Sequence, residues 1–83
     1  MVRNEEVPPI GGFARVFAST VRALVNAAGI SGSELARRMG RAQSYVSLRL
    51  NGRKAWTLDE LDQIASILGI SVGDLFDKAR DQD

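Results

Sequence analysis

Residues 36–52 read ARRMGRAQSYVSLRLNG, and this stretch decides the fold. Two short segments with apolar residues on one face flank Gly40, a residue that adopts a left-handed turn without strain. Ala36 is small at the point where two crossing helices touch. Val46 is branched and apolar at the point where the second helix meets a core. A small residue, a turn glycine and a branched anchor at this spacing indicate a helix-turn-helix.

The flanking sequence predicts three more helices. Apolar residues recur at helical spacing over 13–28, 58–68 and 72–79, and no segment alternates as a strand does. With 31–39 and 43–50 from the motif, the fold class is an all-α, compact five-helix domain over 13–79. We expect a flexible arm over 1–12, where prolines and glycines disfavour regular structure, and a frayed tail over 80–83.

Caps and core residues follow from the same spacing. Ser31 with Glu34, and Thr57 with Glu60, are three residues apart as in capping boxes, and Ser71 can cap the last helix. Glycine or Asn-Gly after each of the first four segments provides a helix stop. The residues predicted to face inward are Phe13, Val16, Phe17, Val21, Leu24, Val25, Ala28, Leu35, Ala36, Met39, Val46, Trp56, Leu58, Leu61, Ile64, Ala65, Leu68, Val72, Leu75 and Phe76.

Composition narrows the classes of function. A chain of 83 residues forms one small domain. Cysteine and histidine are absent, which excludes thiolate metal sites and removes the usual general base. Asp59, Glu60 and Asp62 diverge around a helix, so they are not a metal cluster. We therefore expect no enzyme and no cofactor. Without a membrane-length apolar run or a signal peptide, the expected location is cytoplasmic.

Charge is unevenly distributed although the formal net charge is only +1. Between residues 37 and 54 every charged residue is basic, whereas acids dominate from residue 57 onward. Such clustering matters more for a polyanionic partner than the net charge does. The basic residues of this run are Arg37, Arg38, Arg41, Arg49, Arg53 and Lys54.

The run MGRAQSYVSLRLNG, residues 39–52, resembles the DNA-binding domain of the lambda-type phage repressors, within the wider Cro-like (XRE) family. The closing ILGISVGDLF, residues 67–76, extends the resemblance over residues 13 to about 76. The resemblance implies a domain that binds double-stranded operator DNA in the major groove, usually as a homodimer. It implies no small-molecule ligand.

Helical geometry predicts which side chains face DNA. With Val46 inward, the rotation of about 100° per residue places Ser44, Ser47 and Leu48 outward and Gln43 at the exposed start. An amide at Gln43 can form a bidentate pair with adenine, and lambda-type domains carry glutamine and serine at the positions of Gln43 and Ser44. Leu48 is either a surface leucine, a dimer contact or a thymine-methyl contact. The predicted base readers are Gln43, Ser44, Ser47 and Leu48.

Phosphate contacts position such a domain without reading sequence. Tyr45 has an equally good alternative in packing on the helix flank, and Arg49 is a weaker candidate because it can face a neighbouring helix. The family often places a phosphate-binding glutamine where this chain has Gly32, so Ser33 or helix amides would replace it. The predicted phosphate contacts are Ser33, Arg41, Tyr45, Asn51, Arg53 and Lys54.

The leading hypothesis is a sequence-specific transcriptional regulator, of the phage-repressor or Cro-like kind, that binds a palindromic operator. Controller proteins of restriction-modification systems and antitoxins share this fold and size. A protein-interaction module that uses the acidic helices after Thr57 is a second class of function. We place the predicted dimer interface on the final helix, residues 72–79.

Overall fold

A computed structural model of the chain describes residues 11–81, which form five α-helices and no strand. The all-α fold predicted from sequence is confirmed. The helices are α1 (Gly12–Ala27), α2 (Gly32–Met39), α3 (Gln43–Leu50), α4 (Leu58–Leu68) and α5 (Val72–Asp81). The arm expected over 1–12 lies mainly outside the described residues, and α1 already begins at Gly12.

The core lies between α1, α2, α4 and α5, with α3 attached at one side. Val21, Leu35, Ile64 and Leu75 are fully buried and come one from each of those four helices. Trp56, in the link between α3 and α4, is 7% exposed and closes the core as predicted. Burial of this apolar surface, at about 25 cal/mol per Å², is the main force that holds five short helices together.

Four large apolar residues predicted to face inward remain exposed, as does Ala28. Phe13 is 77% exposed and Leu58 is 72% exposed, while Val72 and Phe76 keep more than a third of their surface. Phe13, Leu58 and Val72 all lie in the first turn of their helices, where the neighbouring helices do not cover the apolar stripe. Helical spacing defines a face of the helix, but it does not define how far the next helix extends along that face.

Helix ends follow the predicted caps with one exception. Thr57 and Glu60 form a complete capping box, and the Asp74 N–H donates to Ser71 Oγ at 2.9 Å. Ser31 Oγ accepts from the Glu34 N–H at 3.0 Å, but the Glu34 carboxylate does not complete the box. It accepts from Arg37 and Arg38 instead, so the predicted reciprocal half of this box is wrong.

The last helix is longer than predicted. It continues through Arg80 to Asp81, where the sequence predicts fraying, and Arg80 pairs with Asp77 one turn earlier at 3.1 Å. Pairs at this spacing stabilise a helix end slightly. Among the described residues, no helix has the length and apolar character needed to span a membrane.

Candidate nucleic-acid interface

Helices α2 and α3 are joined by a turn of three residues, 40–42. Gly40 has φ 70° and ψ 32°, in the left-handed region that favours glycine. The Arg41 N–H donates back to Ala36 O at 3.0 Å, which closes the end of α2. Ala36 is buried and Val46 is fully buried, so the motif has the packing expected from its sequence.

The outer face of α3 carries the four predicted base readers. Val46 is the α3 side chain that is fully buried, and Gln43, Ser44, Ser47 and Leu48 are exposed. Gln43 is the first residue of the helix. Leu48 remains 39% exposed, an apolar side chain on a polar face. These side chains form one outward surface that starts at the N-terminus of the helix.

A cleft of about 280 Å³ opens beside this surface, between α1 and the N-termini of α2 and α3. Gly32, Ser33 and Gln43 line it, together with Ser47 and Asn51. A Cβ built on Gly32 would lie 3.6 Å from Leu50 Cδ1, an ordinary contact, so the cleft has room for a side chain there. The predicted contacts Ser33 and Asn51 are thus brought next to Gln43.

Two residues of α1, Arg22 and Asn26, line the same cleft and were missed by sequence reasoning. Arg22 Nη1 donates to Asn51 Oδ1 at 3.2 Å, and Asn51 Nδ2 donates to Ser47 Oγ at 3.4 Å. A signal existed in the sequence, because Arg22 and Asn26 are four residues apart and so share the polar face of α1. That these two side chains lie close to α3 could be seen only from the folded structure.

The basic run is acid-free in sequence but not in space. Glu34 pairs with Arg37 and with Arg38, the latter at 2.7 Å. Hydrogen bonds from Arg37 and from Arg38 lower the pKa of Glu34 to about 2. The same pairing raises the pKa of Arg37. These two arginines therefore have a local counter-charge, and the sequence-based picture of an uncompensated basic stretch is wrong for them.

Glu60 of α4 is the second acid among the basic residues, and its side chain is only 5% exposed. It accepts hydrogen bonds from the Thr57 N–H at 2.9 Å and from the Tyr45 hydroxyl. Arg41 Nη2 lies 3.6 Å from Glu60 Oε2, and Arg49 Nε lies 3.9 Å from Oε1. Two hydrogen bonds and two guanidinium charges thus converge on one buried carboxylate.

The ring of Tyr45 lies under both guanidinium groups. Arg49 Cζ is 3.5 Å and Arg41 Cζ is 4.6 Å from the ring centroid, and both are cation–π contacts. Arg49 Nη1 also donates to Tyr45 O at 3.1 Å. Tyr45 and Arg49 therefore follow the packing alternative considered for each of them, since both side chains contact Glu60 on α4.

The pKa of Glu60 reflects these contacts. Burial raises it, but hydrogen bonds from Thr57 and Tyr45 and the charge of Arg49 outweigh burial, so the net pKa is lowered. The hydrogen bond to Glu60 raises the pKa of Tyr45. The carboxylate is therefore charged and the phenol neutral at neutral pH, as their hydrogen bond requires.

Arg53 and Lys54 follow α3 and are exposed. The Arg53 N–H donates to Leu48 O at 2.9 Å, and Gly52 at φ 75° makes the turn that directs the chain away from the helix. The backbone therefore holds both residues close to the C-terminal end of α3. Both residues remain predicted phosphate contacts.

An exposed polar helix on a glycine turn, flanked by arginine and lysine, defines the class of this protein as a helix-turn-helix DNA-binding protein. Residues 20–79 match the model of the Cro/C1-type HTH DNA-binding domain. The chain belongs to this family, and the Cro-like resemblance of the sequence is confirmed. No curated protein sequence matches the chain.

Solved structures share the fold. The clp gene regulator ClgR from Corynebacterium glutamicum superposes in two structures with TM-scores of 0.79 and 0.78, at 24% and 23% identity. The matches cover 87% and 88% of this chain, and 77% and 95% of those chains. The hypothetical transcription factor NHTF from Neisseria matches with TM-score 0.65 and 27% identity, over 90% of this chain and 80% of that chain.

Proposed function

We propose that this protein is a sequence-specific transcriptional repressor of the phage or Cro-like kind that inserts α3 into the major groove of a palindromic operator. The observation that carries the proposal is the outer face of α3. Val46 anchors the helix while Gln43, Ser44, Ser47 and Leu48 are all exposed. An α-helix fits the major groove, where each base pair has a distinct pattern of donors and acceptors.

Within this proposal Gln43 reads an adenine. It is the first residue of α3, and N-terminal residues of a recognition helix reach base edges. Its amide both donates and accepts, which matches adenine N6 and N7 in a bidentate pair. Ser44 and Ser47 add single hydrogen bonds, and Leu48 contacts a thymine methyl. The exposure of Leu48 favours this contact over packing within the domain.

The phosphate contacts come from both sides of α3. Arg53 and Lys54 are exposed after the helix, and Ser33 is exposed in the first turn of α2, where free helix amides attract an anion. Arg41 retains 47% exposure of its side chain and can reach the backbone from the turn. Asn51 accepts a hydrogen bond from Arg22, and it contributes to phosphate binding through that contact. We leave Tyr45 out, because its hydroxyl donates to Glu60.

A homodimer completes the proposal, because one α3 reads few base pairs and two-fold pairing doubles the site. An apolar groove of about 840 Å³ lies between the start of α1 and α5, and Phe13, Phe17 and Phe76 line it. Aromatic side chains of this kind are enriched at the centres of protein interfaces. The predicted interface on the last helix therefore extends onto the start of α1.

Selection from a random pool of duplex DNA, carried out at two salt concentrations, tests the proposed function. We expect a palindromic site and an affinity that falls steeply as salt rises, because phosphate contacts release counterions. Recovery of nothing above random sequence by demonstrably folded protein would refute sequence-specific regulation and favour the protein-interaction module. A single non-palindromic site would refute the symmetric dimer while retaining DNA recognition.

A further inference from the structure

Helix α3 buries few of its side chains completely. Val46 is its one fully buried residue, with Tyr45, Arg49 and Leu50 partly buried, whereas α1 buries five residues. Val46 and Leu50, one turn apart on the same side of α3, both pack against the core, so they fix the distance of the helix from the core better than its rotation about its own axis. Since rotation decides which side chains meet the bases, a contact on the flank of the helix is needed to set it.

That contact is the Glu60 cluster, which consists of Glu60, Tyr45, Arg49 and Arg41. Tyr45 and Arg49 are one turn apart on α3, and both contact the same carboxylate on α4. Arg41, in the turn before α3, lies over the Tyr45 ring and within 3.6 Å of the same carboxylate. The carboxylate is held in place by the Thr57 N–H at 2.9 Å.

We propose that Glu60 is a positioning residue that fixes the rotation of α3 and thereby sets how strongly the domain prefers its operator over other DNA. The inference rests on the proposed function. Glu60 contacts no base, since its side chain is 5% exposed beneath Tyr45 and Arg41. Its effect is transmitted through Tyr45 and Arg49 to the base-reading face of α3. It also keeps the Arg41 guanidinium beside the start of the recognition helix.

A positioning role makes a prediction that a purely structural role does not. Loss of stability alone lowers the folded fraction, so it weakens binding to operator and to random DNA by the same factor. Loss of α3 orientation weakens the operator complex selectively, because phosphate contacts tolerate a small rotation and base contacts do not. The ratio of the two affinities is therefore the diagnostic quantity.

The experiment compares Glu60→Gln with Asp62→Asn in the full chain. Both variants remove one negative charge from α4, and Asp62 is exposed. The amide that replaces the Glu60 carboxylate retains one acceptor for the Thr57 N–H but loses the charge that attracts Arg41 and Arg49. For Glu60→Gln we expect the ratio of operator to random-DNA affinity to fall about tenfold, the size of losing a base contact. Asp62→Asn should leave that ratio unchanged.

Tyr45→Phe provides a second test that does not change charge. It removes the hydroxyl that donates to Glu60 and keeps the ring for Arg49 and Arg41, so the ratio should fall in the same direction by a smaller factor. This variant decides the question if Glu60→Gln does not fold. Equal ratios for wild type and for whichever of the two variants folds would overturn the positioning role.

The outcomes separate this inference from the proposed function. If wild type selects an operator and the variants keep its preference, only the role of Glu60 is wrong. If wild type shows no preference for any sequence, the proposed function fails and the positioning role fails with it. Amide hydrogen exchange without DNA adds an independent readout, because Glu60→Gln should speed exchange in α3 more than in α1.

Discussion

Replacement of Gln43 should alter the preference for the operator more directly than replacement of any other side chain. Gln43→Ala should weaken operator binding by about 1–3 kcal/mol, because a bidentate contact to one base is lost. Binding to random DNA should remain nearly unchanged, since Gln43 carries no charge. Titration of both DNAs at one salt concentration measures the two losses, and equal losses would remove Gln43 from the base readers.

Single positions also show where sequence reasoning succeeds. The branched shape and spacing of Val46 predict the anchor of α3, and Val46 is fully buried. Exposure of Ser44, Ser47 and Leu48 then follows from helical rotation, and exposure of Gln43 from its place at the start of the helix. Glu34 lies three residues after Ser31, which predicts a capping box. Arg37 and Arg38, three and four residues further on, compete for the Glu34 carboxylate. Spacing identifies the available partners, whereas side-chain charge decides between them.

The turn between α2 and α3 depends on the conformation of one glycine. Gly40 has φ 70°, and a Cβ added there would meet nothing within 4 Å. Gly40→Ala should therefore cost about 1–2 kcal/mol of unfolding free energy through backbone strain alone. Urea denaturation followed by Trp56 fluorescence measures this cost.

Gly12→Ala is the matched control for the turn. Its added Cβ also meets nothing within 4 Å, and its φ is not positive. This variant should be neutral or slightly stabilising, because alanine favours a helix. Similar losses of stability in the two variants would contradict the role of left-handed backbone at Gly40.

The attachment of α3 to α4 should depend on pH. The pKa of Glu60 is lowered from its ordinary value of 4.5, so the folded state binds this proton less readily than the unfolded chain. The contribution of Glu60 to stability is therefore complete above pH 4.5 and declines as the pH falls through the lower folded pKa. Arg41, Arg49 and Tyr45 are the groups that surround the carboxylate.

Denaturation of wild type and of Glu60→Gln over acidic and neutral pH measures this contribution. The stability difference between the two proteins should be largest at neutral pH and should shrink as the pH falls below 4.5. Glu34 also has a lowered pKa, but it is present in both proteins and cancels in the difference. A difference that stays constant with pH would show that Glu60 contributes through packing and not through its charge.

The five helices and their order were predictable, because apolar spacing and helix stops are local properties of the chain. The composition of the interface was predictable only in part. Arg22 is 29 residues before Asn51 in sequence, yet the two side chains are hydrogen bonded. Glu60 is likewise 15 residues after Tyr45. Contacts between helices decide which charges on the surface are paired, and no local pattern encodes those contacts.

Pairing of charges across the domain predicts which cations dominate binding to DNA. Within the basic run of residues 37–54, four arginines have a nearby acid: Arg37, Arg38, Arg41 and Arg49. Lys54 is exposed beside α3, so Lys54→Ala should weaken operator and random-DNA binding alike and reduce the salt slope by about one unit. Lys78→Ala, on α5, removes the same charge elsewhere, and on a single half-site, which needs no dimer, it should leave the slope unchanged. Equal slopes for both variants would exclude Lys54 from the phosphate contacts.

Assembly of two copies is best tested at Phe13. Leu75 lies within the predicted interface, but it is fully buried, so its replacement by a charged residue would unfold the domain. Phe13 is 77% exposed beside the groove and meets Phe17 edge to face at a centroid distance of 5.0 Å. Phe13→Lys should therefore preserve the fold and weaken the dimer by about 2 kcal/mol, the loss typical of a central aromatic residue.

Leu58→Lys is the control for Phe13→Lys, because Leu58 is 72% exposed at the start of α4 and does not line the groove. Sedimentation equilibrium should show a weaker dimer for Phe13→Lys and an unchanged one for Leu58→Lys. Binding to a full palindrome should weaken in parallel, while binding to a single half-site should not, because each α3 is intact in the monomer. Equal dimer constants for the two variants would place the interface away from the groove.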